Sequence, residues 1–141
     1  GNFALAPMLG YESLGSDDGR YGLQTPYATK HAFNGWADQF LVTPKDGLVD
    51  QYATLGFDWN THAIKTLLQY HDYESESDNL TTQSRLNLGS ETSVQAMKTF
   101  GPRWTVGAKY STYKQAGSAT DVAASGKKDV DKVWAWVEFA L

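Results

Sequence analysis

His31, Asn34, Trp36 and Asp38 sit together in one short stretch of the chain. Their chemistry suits contact with a polar, ring-shaped solute. A Trp face packs against a sugar ring, and Asn, Asp and His can bond its hydroxyls. The stretch is expected to be a loop that folds into a pore or over its mouth. The competing expectation is a self-packed external loop in which Trp36 and Phe40 bury against each other. Phe33, Trp36, Ala37 and Phe40 have the i, i+3, i+4, i+7 spacing of a short amphipathic helix, which Asn34-Gly35 would weaken. Other combinations carry less. His62 and His71 are too far apart to share a metal, and on a regular strand they point to opposite faces. The acidic run from His71 to Asp78 could hold divalent cations at a strand end, but a solvated loop is the simpler reading. No nucleophile elbow, phosphate loop or zinc-protease motif occurs. No enzyme activity, metal or cofactor is therefore expected.

Those residues need elements to position them, and composition narrows the choice. The chain has 141 residues, enough for one domain. Cysteine is absent, which excludes a disulfide framework and a thiolate metal site. Net charge is −4 with both signs interspersed, so no basic stripe marks a nucleic-acid surface. No apolar run approaches the roughly 20 residues of a membrane helix. A membrane barrel remains open, because its strands alternate lipid-facing and lumen-facing residues and never read as continuous apolar runs. Gly1-Asn2-Phe3 runs straight into a strand-like pattern without a leader, as expected of a processing boundary.

Period-2 alternation dominates the sequence. In the last segment Val133, Ala135, Val137, Phe139 and Leu141 share one face, and Trp134, Trp136, Glu138 and Ala140 the other. A strand of this length spans about 30 Å, enough for a tilted crossing of a membrane. The preceding strand, 104–113, sets Trp104, Val106, Ala108 and Tyr110 against Thr105, Gly107, Lys109 and Ser111. Before it, 86–99 sets Leu86, Leu88, Val94 and Ala96 against Asn87, Glu91, Ser93 and Gln95. Lys98 interrupts the apolar face near its end, where a long side chain can snorkel. Residues 62–73 alternate Ile64, Thr66, Leu68 and Tyr70 against Lys65, Leu67, Gln69 and His71. Residues 48–59 and 3–13 complete six strands, with Pro7 suggesting an edge or a bulge in the first.

The connections alternate in length. Long ones over about 15–47, 75–85 and 117–131 are separated by short ones at Asn60 and Gly101. Every short turn falls at the end that also holds the C-terminus, as expected of short periplasmic turns and long external loops. The third long loop, rich in Ser, Ala and Gly, reads as mobile. Trp59, Phe100, Trp104 and Phe139 gather at the turn end, and Tyr11, Tyr70, Tyr73, Tyr110 and Tyr113 toward the loop end. Two aromatic girdles at opposite strand ends belong at membrane interfaces. The fold class expected is all-β: an antiparallel up-and-down transmembrane β-barrel, of which residues 1–141 are the C-terminal portion, about six strands. Glu12, Asp50, Asp58, Lys65, Gln69, His71, Glu91, Gln95, Lys109 and Glu138 form the expected lumen-facing set.

Three stretches resemble the alginate-export type of outer-membrane β-barrel porin. The first is Leu14-Gly15-Ser16-Asp17-Asp18-Gly19, followed by the run from Gln24-Thr25-Pro26 through His31-Ala32-Phe33-Asn34-Gly35-Trp36-Ala37-Asp38-Gln39-Phe40. The second is Leu88-Gly89-Ser90-Glu91 with Gln95-Ala96, leading to Val106-Gly107-Ala108-Lys109-Tyr110. The third is the closing Lys132-Val133-Trp134-Ala135-Trp136-Val137-Glu138-Phe139. The resemblance implies a bacterial outer-membrane channel. Its members have more strands than six, and six strands cannot close, because single-chain barrels start at about eight. The rest of the barrel, or another chain, is expected to complete the sheet. The last residues also depart from the family, where an aromatic often ends the chain. A lumen for a polyanion should be rich in Arg and Lys. Among the expected lumen-facing residues the acids outnumber Lys65 and Lys109, so small solutes or saccharides, with lipid around the wall, are the expected partners. Two alternatives are a soluble β-sheet carbohydrate-binding module and a barrel wall serving as scaffold in an envelope complex.

Overall fold

The computed structural model describes residues 3–27, 30–116 and 118–141. The Gly1-Asn2 start, Ala28-Thr29 of the first family-like stretch, and Gly117 at the head of the third loop lie outside the described residues. Six strands run in chain order: β1 (Phe3–Leu14), β2 (Leu48–Trp59), β3 (Ile64–Glu74), β4 (Asn87–Phe100), β5 (Trp104–Lys114) and β6 (Val130–Phe139). They form one antiparallel sheet in the order β1-β2-β3-β4-β5-β6. The sheet does not close on itself, and β1 and β6 are its edges. Pro7 lies on edge strand β1 in unbroken register opposite Leu55, with no bulge.

Opposed residues of an antiparallel pair share a face, so the register sorts every side chain. Rows such as Glu12–Asp50–Tyr73, Tyr52–His71–Glu91–Tyr113 and Gln95–Lys109–Trp134 run across one face. The ten residues expected to face a lumen, from Glu12 to Glu138, share this one face of the sheet. The opposite face carries Phe3, Leu5, Leu9, Phe57, Leu68, Val94, Val106 and Val133, all exposed or half-exposed; Leu9 is 85% and Val133 75% exposed. On that apolar face Trp104 meets Phe139 at 4.8 Å and Phe3 meets Phe57 at 6.1 Å, both at the turn end. Tyr11, Tyr70 and Tyr110 mark its loop end. Lys98 reaches over the Phe100 ring at 5.2 Å, so its charged head lies at the strand end.

Four expectations need correction. Tyr73 and Tyr113 are not girdle residues; they lie on the polar face and are fully buried. Leu86 and Leu88 are also turned inward and buried. The register shifts at Tyr73/Glu74, where Tyr73 faces Gly89 and Glu74 faces Asn87. Gly89 takes φ +98, and the extra residue inverts the parity of everything before it. Strict alternation could not show this. The third strand starts at Ile64, because Asn60–His62 forms a 3-10 turn closed by Ala63 in the left-handed region. His62 therefore lies in a turn rather than on a strand. The last strand is 130–139, leaving Ala140 and Leu141 beyond it.

The long connections have structure of their own. A short helix, α1 (Lys30–Phe33), ends where Gly35 turns at φ +90, so the helical spacing through Phe40 is not realised. The third loop holds a helix, α2 (Ala119–Ser125). Ser118 caps it by accepting the Asp121 N–H at 3.0 Å, and Gly126 ends it at φ +63. Leu14, Ala37, Phe40, Leu48, Tyr73, Leu86, Leu88 and Tyr113 form the apolar core. This core lies between the first loop and the polar face, at the loop end of the sheet.

Candidate functional site

The first loop does not stand away from the sheet. Residues 30–40 lie across the polar face and are held there chiefly by Glu91. Its carboxylate is 1% exposed and accepts four hydrogen bonds. Trp36 N–H donates to Oε1 at 2.6 Å and Ala37 N–H to Oε2 at 3.1 Å. Ser93 and Ser111 hydroxyls donate to Oε1 at 2.8 and 2.7 Å. Three of the four bonds crowd Oε1 and one reaches Oε2, so Oε1 has no room for another donor. Two consecutive amides can aim at one carboxylate because Gly35 turns the chain just before them. A Cβ at Gly35 would strike the Tyr73 hydroxyl and the Glu91 carboxylate.

Neighbouring contacts repeat the pattern. The Asn34 amide donates to Glu12, and Tyr73 Oη donates to the Asn34 carbonyl at 3.2 Å. Phe40 packs on Tyr73 at 4.4 Å and on Tyr113 at 6.1 Å. Trp36 and Phe40 are both buried, against the polar face of the sheet rather than against each other. Lys127 from the third loop donates to the Gln39 carbonyl and lies 4.6 Å from the Phe40 ring. Burial pushes the Lys127 ammonium below its ordinary range. Burial does the same to Lys30, whose Nζ donates to Thr43 Oγ1 at 2.7 Å, while the Glu12 charge partly restores it. His71 and Asp50 form a buried pair at 3.0 Å, with the imidazole stacked between Tyr52 and Tyr73.

Next to this sealed region lies a half-exposed cluster. His31 Nδ1 is 2.5 Å from Asp38 Oδ1, and Lys132 Nζ donates to Asp38 Oδ2 at 2.7 Å. Lys109 Nζ is 2.6 Å from His31 Nε2. That ammonium lies 4.8 Å from the Trp36 ring and 4.7 Å from the Trp134 ring, within cation–π range of both. His31 meets Trp134 edge-on at 5.5 Å. Burial alone would raise Asp38, but the Lys132 and His31 hydrogen bonds outweigh it and hold the carboxyl below its usual range.

The structure thus divides the sequence-predicted residues. Glu12, Asp50, His71 and Glu91 are consumed by partners on the sheet's polar face or in the loop. Asn34 and Trp36 are buried fixings of the loop, while His31 and Asp38 reach the accessible cluster with Lys109. Gln69, Gln95 and Asp58 are half-buried, and Lys65 and Glu138 are exposed toward the turn end. Sequence reasoning missed Ser93, Ser111, Lys132 and Lys127. Alternation already put Ser93 and Ser111 on the Glu91 face. Extending β6 back by three residues would have added Lys132. Nothing local announces Lys127, whose partner is 88 residues away. Among the described residues no group of His, Cys, Asp and Glu could hold a metal ion.

Comparison of the chain with protein-family models, curated proteins and solved structures found no match.

Proposed function

We propose that this chain is part of the wall of a bacterial outer-membrane channel, a porin-like path for passive passage of small solutes or saccharides. The observation that carries the reading is the division of the sheet. One face is apolar and exposed, with aromatics at both strand ends. The other is polar and carries a loop folded onto it. A water-soluble sheet would bury its apolar face, since burial is worth roughly 25 cal/mol per Å². A wall in lipid presents that face to the acyl chains. The reach of the first loop also supports it. Asn34 touches Glu12 on β1, and His31 touches Trp134 on β6. Those strands are five spacings apart, about 24 Å on a flat sheet. Side chains stand roughly perpendicular to a sheet, so both can meet one short segment only where the sheet curls toward it. A curled wall around an inward loop suits a narrowed channel, with further strands needed to close it. The resemblance to alginate-export porins adds to this reading.

The test is fluorescence quenching in vesicles of brominated lipid, with conductance across planar bilayers. Trp59 and Trp104 on the apolar face should be quenched, Trp36 should not, and discrete conductance steps should appear. A detergent-free, water-soluble monomer that ignores vesicles overturns the proposal. It would favour the carbohydrate-binding alternative.

A further inference from the structure

The His31–Lys109 contact constrains where a proton can be. An ammonium only donates, so at 2.6 Å the His31 Nε2 must be the bare acceptor. The imidazole proton is then on Nδ1, donated to Asp38 at 2.5 Å. In this neutral tautomer His31 links the loop's own carboxylate to a lysine of the wall. The charged groups around it come from each packed element. Asp38 comes from the loop, Lys109 from β5 and Lys132 from β6 through Asp38, while Asp38 and then Glu91 on β4 attract Lys109 through space without a hydrogen bond to it. Lys127 is engaged next door on Gln39.

A second proton on His31 would make Nε2 a donor aimed at an ammonium. Two cationic N–H groups cannot hold a 2.6 Å contact. His31 keeps Asp38, which stays ionised because its carboxyl is held low. Among the described residues Lys109 has no second hydrogen bond: the Asp38 and Glu91 carboxylates attract it only through space, and the Trp36 and Trp134 faces flank it. We propose that Lys109 is the selectivity-determining cation of the narrowing and that His31 holds it: protonation of His31 frees the ammonium into the opening and shifts passage toward anions. This rests on the channel reading above. The loop itself stays in place, because its tether is Glu91 rather than His31.

The experiment pairs two readouts. Reversal potentials in a KCl gradient give the chloride-over-potassium permeability ratio between about pH 7.5 and about pH 5. Imidazole NMR in detergent micelles gives the His31 titration midpoint. The wild type should become more anion-selective on acidification. His31→Gln, whose amide can bridge Lys109 and Asp38 but cannot titrate, should show a flat ratio. Lys109→Met should lower the ratio at both pH values and raise the His31 midpoint by removing the facing cation. A His31→Gln channel with wild-type pH dependence overturns the inference, as does a His31 midpoint indifferent to Lys109→Met. A shifted midpoint without any conductance overturns the channel reading and the selectivity role, while the coupled pair stands.

Discussion

Glu91 is the residue on which the first loop depends. Its two carboxylate oxygens replace the water that the Trp36 and Ala37 amides lose when they are covered. Removing a partner from a buried donor costs about 1–3 kcal/mol for each group left unsatisfied. Glu91→Gln keeps the shape but swaps one acceptor oxygen for a donor NH2, which must face an N–H or a hydroxyl. The loop should loosen by about that amount while the sheet persists. Amide exchange at residues 35–38 should rise by one to two orders of magnitude, since about 1.4 kcal/mol corresponds to a factor of ten. Unchanged protection at those amides would show that the apolar contacts of Phe40, and not the carboxylate, hold the loop.

At the scale of elements, alternation and its single interruption decide what each strand offers. Along β5, Val106 points to the apolar face and Thr105 to the polar one. A basic side chain on the lipid face near mid-membrane costs about 2–4 kcal/mol and little on the lumen side. Val106→Arg should therefore lower the stability of the vesicle-inserted protein by about that amount, and Thr105→Arg by well under half of it. Denaturant midpoints for refolding into vesicles measure both. Equal effects would mean that the two faces meet the same solvent. The bulge at Gly89 belongs to this scale as well. It turns Leu88 and Leu86 inward to meet Phe40, so the core beneath the loop exists because one strand breaks its period.

For the molecule as a whole, the unresolved demand is at the edges. β1 and β6 are long, and each presents one row of backbone groups without a partner in this sheet. In hydrocarbon each such group costs several kcal/mol. When the protein is inserted in vesicles, the outward-pointing amides of β1 and β6 should be as protected from exchange as those of β3. Rapid exchange there would place the edges in water and rule out a wall completed by further strands.

Much of this molecule was legible in the sequence because a strand's faces follow from a period of two. Six strands, three long and two short connections, and the polar set from Glu12 to Glu138 all come from that local rule. So does the aromatic order on the apolar face, apart from Tyr73 and Tyr113. What local pattern cannot carry is long-range partnership. That the first loop lies on the polar face, that Glu91 is its tether, and that Lys109 meets His31 78 residues away are decided only in three dimensions. The acids that made the wall look negative are mostly spent internally, as Glu91 on amides, Asp50 on His71 and Glu12 on Asn34 show. Charge in the sequence counts residues, whereas the charge a solute meets depends on which of them the fold has already neutralised.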